Sequence, residues 1–64
     1  MQNNTISRFL RRRDVEKMTG LSKSTIYAKM ANEEFPRPIR LGARSVAWVE
    51  HHIQEWMSAQ IQMA

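Results

Sequence analysis

The stretch Thr19-Gly20-Leu21-Ser22-Lys23-Ser24-Thr25-Ile26-Tyr27 constrains the architecture more than any other part of this chain. Gly20 can take the positive φ with which helices often end. Two residues later, the Ser22 hydroxyl can accept an orphan N–H of a new first turn, which makes Ser22 an N-cap. A helix end, a short turn containing glycine and a cationic, hydroxyl-rich helix start together form the sequence pattern of a helix-turn-helix. The rest of the chain decides whether this unit stands as a bare helical hairpin or belongs to a larger arrangement.

Upstream, residues 12–19 predict a first helix of about two turns. Val15 and Met18, flanked by Leu10 and Leu21, give it one narrow apolar stripe. Asp14 and Glu16 lie in its early turns, where the helix dipole favours anions. Phe9-Leu10 reads as a short extended piece, and Met1 to Ser7 as a loose arm. Downstream, a second helix is expected from Lys23 to Asn32 or Glu33. Ile26 and Met30 form its buried stripe, and its other side is small and polar with one aromatic, Tyr27. Pro36 and Pro38 stop it. Ile39-Arg40-Leu41 and Val46-Ala47-Trp48 then alternate around Gly42-Ala43-Arg44-Ser45, the pattern of a hairpin with a four-residue loop. Strict alternation would turn Ile39, Leu41, Val46 and Trp48 toward the core and Arg40 away from it. Residues 49–62 predict the last helix, with Ile53, Trp56, Met57 and Ile61 on one face. The expected core is therefore Leu10, Val15, Met18, Leu21, Ile26, Met30, Ile39, Leu41, Val46, Trp48, Ile53, Trp56 and Met57.

At 64 residues a chain buries only about 60% of its unfolded surface, so two strands alone would not stand and must pack on the helices. Without cysteine there is no disulfide and no thiolate metal site. The longest apolar run, Val46 to Val49, is far short of a membrane span, and the polar N-terminus lacks the apolar region of a signal peptide. A cytoplasmic protein with no membrane partner is expected.

The net charge is +4, and its placement matters more than its size. All ten lysines and arginines lie between Arg8 and Arg44, and beyond Ser45 the only charged side chains are Glu50 and Glu55. A one-sided cationic field on a small body suits a polyanion. An enzyme has little support. His51 and His52 are adjacent, so on a helix they point about 100° apart and share no metal. Ser22, Ser24 and Ser45 have no base and orienting partner in readable spacing, and no glycine-rich phosphate loop exists. No cofactor or metal is expected.

Double-stranded DNA answers the pattern better. The second helix of such a unit enters a major groove with its N-terminal residues leading. Those are Ser22, Lys23, Ser24 and Thr25, followed by Tyr27, Ala28 and Lys29. Arg11, Arg12 and Arg13 precede the first helix, where the phosphate backbone would pass. Arg44 at the hairpin tip, with Arg40 and Ser45, makes a basic wing suited to an adjacent backbone or minor groove. Two alternatives stay open here: Tyr27 faces phosphate or packs in the core, and Ser24 and Thr25 read bases or only position the helix.

The residues also resemble a family. Thr-Gly-Leu-Ser-Lys-Ser-Thr-Ile-Tyr at 19–27, Phe-Pro-Arg-Pro-Ile-Arg-Leu-Gly at 35–42, Arg44, Val-Ala-Trp-Val-Glu at 46–50 and Trp56 are similar to the AlpA family of phage and genomic-island regulators, small proteins of the MerR-like winged-helix group. The resemblance covers residues 9–57. It implies a mainly α fold with a small β-hairpin: a winged helix-turn-helix over residues 9–64 behind an arm of residues 1–8. It implies helix 23–33 as recognition helix, with Ser24, Thr25 and Tyr27 toward DNA. Arg44 would be the wing contact, and Trp48 and Trp56 would join wing and last helix. Where the MerR group often has arginine after the Thr-Ile pair, this chain has Tyr27. The chain also lacks the long dimerisation helix and effector domain of full-length MerR regulators, so no small-molecule effector is expected. The implied role is an excisionase, or recombination directionality factor, that binds and bends attachment-site DNA for an integrase and self-associates along it. A transcription regulator and a protein-interaction adaptor are the rival readings.

Overall fold

A computed structural model of the chain describes residues 8–64; the arm expected over Met1 to Ser7 lies outside the described residues. The order is β1 (Phe9–Leu10), α1 (Arg12–Thr19), α2 (Lys23–Ala31), β2 (Ile39–Gly42), β3 (Ser45–Val49) and α3 (Glu50–Met63). The first helix falls where its periodicity puts it, and the other two shift by one or two residues. The extended piece at Phe9-Leu10 becomes a third strand. It pairs antiparallel with β3, Phe9 opposite Val49 and Leu10 opposite Trp48, so the sheet order is β1-β3-β2. Three helices on a small antiparallel three-stranded sheet are compatible with a winged-helix-like fold. No helix among the described residues is long and apolar enough to cross a membrane.

The central strand explains the core. β3 is flanked on both edges and covered by helices, so Ala47 and Trp48, neighbours on opposite faces, are both fully buried. Trp48 clusters with Leu10, Val15, Ile26, Phe35 and Ile53, and Met18, Leu21, Met30, Val46, Trp56 and Met57 pack around them. Ile39 is half-buried opposite Ala47.

Leu41 corrects the expected core: it is 47% exposed. The cause lies in the hairpin. Gly42 pairs with Ser45, so the loop is the two residues Ala43-Arg44 rather than four. Neither takes a positive φ. A two-residue turn of that kind splays its strands, whereas the mirror-image turns match their twist. A register shift between Arg40 and Gly42 absorbs the mismatch. This bulge breaks the alternation at Leu41 and leaves it outside the ladder. Ile61 also departs from expectation, at 75% exposed: the buried face of α3 is at Ile53, and the helix's last turn, with Met63 also exposed, lies beyond the core cluster.

Residues 33–36 carry much of the geometry. Glu33 N–H donates to Met30 O at 3.0 Å and Glu34 N–H to Lys29 O at 2.7 Å. This double closure is the Schellman ending of a helix, and it requires a left-handed residue at Glu33, whose φ is 58°. Beyond it, Trp56 Nε1–H donates to Glu34 O at 2.8 Å and Trp48 Nε1–H to Pro36 O at 3.0 Å. Phe35 inserts between them, edge-on to Trp56 with centroids 4.8 Å apart. Two indoles thus strap the connection from α2 to β2 onto α3 and β3. Because glycine accepts positive φ without strain, Glu33→Gly is expected to stabilise the protein by about 0.5–1 kcal/mol after its larger entropy loss. A thermal melt would read this as a rise of about 2–8 °C; a fall would mean that the Glu33 side chain does more than occupy the site.

Where β3 passes into α3, Glu50 N–H donates to Arg8 O at 2.8 Å, and the Arg8 guanidinium donates to Glu50 Oε1 and Oε2 at 3.3 and 3.0 Å. The hydrogen bonds from Arg8, helped by its charge and opposed by desolvation, hold the Glu50 carboxyl below its usual range. A carboxyl depressed on folding contributes stability that is fully present above its unfolded value, ~4.3 for a glutamate, and loses it as pH falls through the folded value. Urea midpoints of wild type and Glu50→Gln are expected to converge as pH is lowered through that window; a constant gap would show that this pair contributes no pH dependence.

Candidate nucleic-acid interface

The turn between α1 and α2 is tightly tied. Gly20, at φ 76°, donates its N–H to Glu16 O at 2.8 Å. Thr19 Oγ1 donates to Val15 O at 2.8 Å and accepts the Leu21 N–H at 3.2 Å. Ser22 then opens α2: its Oγ accepts the Thr25 N–H at 3.2 Å and donates to Thr25 Oγ1 at 2.9 Å, with Ser24 Oγ 3.3 Å away. A hydroxyl has one proton and two lone pairs. Ser22 spends its proton on Thr25 and its lone pairs on the Thr25 amide and the Ser24 hydroxyl. It is committed to building the helix start. Ser24 keeps free lone pairs, and Thr25 keeps its proton for an outside group. Lys23 and Ala28 are exposed, and Tyr27 is 41% exposed, so its ring is not part of the core.

The three consecutive arginines diverge. Arg11 precedes α1 in extended conformation, and its Nη1 donates to Ser45 Oγ at 2.9 Å and Val46 O at 2.8 Å. It ties the start of α1 to the first residues of β3, next to the hairpin turn, and uses Ser45 to do so. Arg12 pairs with Glu16 one turn on, at 3.0 Å. Arg13 is exposed with no carboxylate partner among the described residues. On the hairpin, Arg40 donates to Ala43 O at 2.9 Å and so braces the turn from which exposed Arg44 projects.

These pieces meet in one place. Arg11, Arg12, Arg13, Tyr27 and Arg44 line a single groove floored by Val46 and Trp48. Four arginines, three from the start of α1 and one from the hairpin turn, line it together with Tyr27 of α2; no carboxylate lines it, and only Arg12 has an acidic partner among the described residues. Arg12 and Arg13 continue into a second cleft with Lys17, Gly20 and Ser22, at the start of α2. Lys29 is not brought to this face. It lines another groove with Glu33, Glu34, Trp56 and Met63. Val46 was expected only in the core; it is half-buried and also lines the groove, a placement set by long-range contacts of β3 with β1 and α1 that adjacent residues do not report. His51 lies 3.1 Å from Glu55 one turn on.

A family model described as prophage CP4-57 regulatory protein (AlpA) matches residues 8–61. This chain belongs to the AlpA family. One relative is the DNA-binding transcriptional activator AlpA of Escherichia coli (strain K12), 33% identical over 69 residues that span 98% of this chain and 99% of that protein. Another is an uncharacterized protein, ORF88, of Enterobacteria phage P4, 42% identical over 57 residues that span 89% of this chain. The match takes in 65% of the phage protein, so this chain spans less than two thirds of that relative. The AlpA match covers both the helix start at Ser22 and the arginine-tipped hairpin.

Proposed function

We propose that this AlpA-family chain is a DNA-binding regulator built as a MerR-like winged helix-turn-helix. In this reading α2 is the recognition helix, β2–β3 the wing, and the groove between them a seat for the phosphate backbone. The observation that carries it is the convergence of Arg11, Arg12, Arg13 and Arg44 with Tyr27 in one groove that no carboxylate lines. A guanidinium pairs with phosphate through parallel N–H donors, and a tyrosine hydroxyl can add a further bond. At the leading end of α2, where base edges or phosphates are met, Ser24 retains lone pairs and Thr25 its hydroxyl proton beyond their bonds to Ser22. The DNA-binding named for the Escherichia coli relative supports the same reading.

For what the bound protein does, the primary proposal is excision. It would act as a recombination directionality factor of a prophage or genomic island, bending attachment-site DNA for an integrase and contacting neighbouring copies along it. The transcriptional activation named for the Escherichia coli relative favours a second output, activation of transcription, for instance of an integrase gene. One assay separates them. An integrase is expressed from an independent promoter, and the excised circular junction is quantified by PCR with and without this protein. A rise supports excision. No rise, with activation of a reporter fused to the upstream region, leaves transcription as the function. Footprinting at low and moderate salt tests the shared premise, since phosphate contacts make log affinity fall linearly with log salt. Failure to bind duplex at low salt would remove both readings.

A further inference from the structure

We infer that Leu41 is an apolar minor-groove contact of the wing, which inserts against the base stack and kinks the DNA. The inference rests on the DNA-binding reading above and adds to it a residue and a mechanical role. Leu41 is the only large apolar side chain between Arg40 and Ser45, and it is 47% exposed. A lone exposed leucine is ordinarily unremarkable; three features set this one apart. The bulge between Arg40 and Gly42 takes it out of the alternation that would have hidden it, and bulges re-aim side chains beside functional sites. It lies between the two guanidinium-bearing residues of the wing, on a hairpin whose residues 39–45 include no carboxylate. An apolar group flanked by cations matches a minor groove, where phosphate-lined walls attract the charges and sugar and base faces meet the leucine.

The hairpin is also braced as a wedge must be. Arg40 holds the turn through Ala43 O, Arg11 holds the base of β3 through Ser45 Oγ and Val46 O, and Trp48 is anchored to Pro36 O. These bonds hold the turn and β3 in place while Leu41 stays exposed between them. Inserted apolar side chains kink a duplex by about 20–90°. In this division the arginines supply attraction to the phosphates and the leucine supplies the apolar wedge.

The test uses the full chain and duplexes of about 30 base pairs cut from its footprint, a length that reports bending. Bending is read by energy transfer between end labels, and unstacking by 2-aminopurine placed in turn at each step under the wing. Wild type is expected to shorten the end-to-end distance and brighten the probe at one step. Leu41→Ala is expected to keep its melting temperature, bind at least about tenfold more weakly, and lose both signals. Leu41→Met, which keeps an apolar side chain of similar volume, is expected to restore them. Equal bending and equal probe signal in Leu41→Ala would overturn the inference, as would wild-type binding without a bend. Both results leave the DNA-binding reading intact. Absence of wild-type binding to any duplex would instead overturn that reading, and the inference with it.

Discussion

Replacing Trp48 with alanine is expected to remove a third or more of the protein's folding stability, and all of it if that stability sits at the low end for a chain this size. The indole is fully buried at the centre of the sheet, opposite Leu10 and within the cluster of Val15, Ile26, Phe35 and Ile53. Truncating a buried tryptophan costs about 3–5 kcal/mol. At about 0.05–0.15 kcal/mol per residue, a chain of this size holds roughly 3–10 kcal/mol in total. One substitution therefore consumes a third or more of what is available. The lost hydrogen bond to Pro36 O also frees the strap that fixes the α2–β2 connection. Trp48→Phe separates the two effects. It keeps most of the apolar volume and loses the bond, so a cost of about 1–3 kcal/mol and a folded protein are expected. Circular dichroism and amide chemical-shift dispersion would distinguish these outcomes. A cooperative melt of Trp48→Ala within about 5 °C of wild type would mean that the core is organised around another residue.

That dependence on one residue was legible in the sequence only in part. Helix α1 could be read to the residue because its apolar spacing, its early acids and Gly20 agree. The N-cap at Ser22 followed from its place after the turn. Local chemistry of this kind is written into adjacent residues. Leu41 was not legible, because its exposure depends on a bulge set by the φ values of Ala43 and Arg44, and alternation alone cannot report a register shift. Phe35 was missed as core for a related reason: it sits in a loop, and its burial comes from Trp56, 21 positions away in the chain. The arginine triplet is a mixed case. Arg12 and Glu16 stand at ion-pair spacing, so that partnership was open to a reader of the sequence. The bond from Arg11 to the hairpin, 34 and 35 residues away, was not. Three identical side chains in a row read as one backbone contact, whereas the structure gives Arg11 a clamp, Arg12 an ion pair and Arg13 no carboxylate partner among the described residues.

The free cations carry the second large effect. The double variant Arg13→Ala/Arg44→Ala is expected to weaken binding to duplex DNA on the order of 100-fold at moderate salt, taking about 1.5 kcal/mol for each charged hydrogen bond lost. It should do so for every sequence alike, because phosphate contacts position a protein without reading bases. The salt dependence should flatten by about 0.9 in the log–log slope for each phosphate released, and so by roughly 1.8 in total. Stability should stay near wild type, since both side chains are exposed and neither meets a carboxylate among the described residues. Arg11→Ala makes the contrast. It removes one guanidinium from the same groove but also cuts the bonds to Ser45 Oγ and Val46 O. Its affinity loss should therefore come with a lower melting temperature and with faster amide exchange at the base of β3, which the double variant leaves unchanged. Titrations at several salt concentrations, with melts alongside, would separate charge from positioning. If the double variant binds within about twofold of wild type and keeps its slope, the arginine-lined groove is not the DNA-facing surface. The interface would then have to be sought on the Lys17 side of α1, where Arg12 and Arg13 line the second cleft with Ser22.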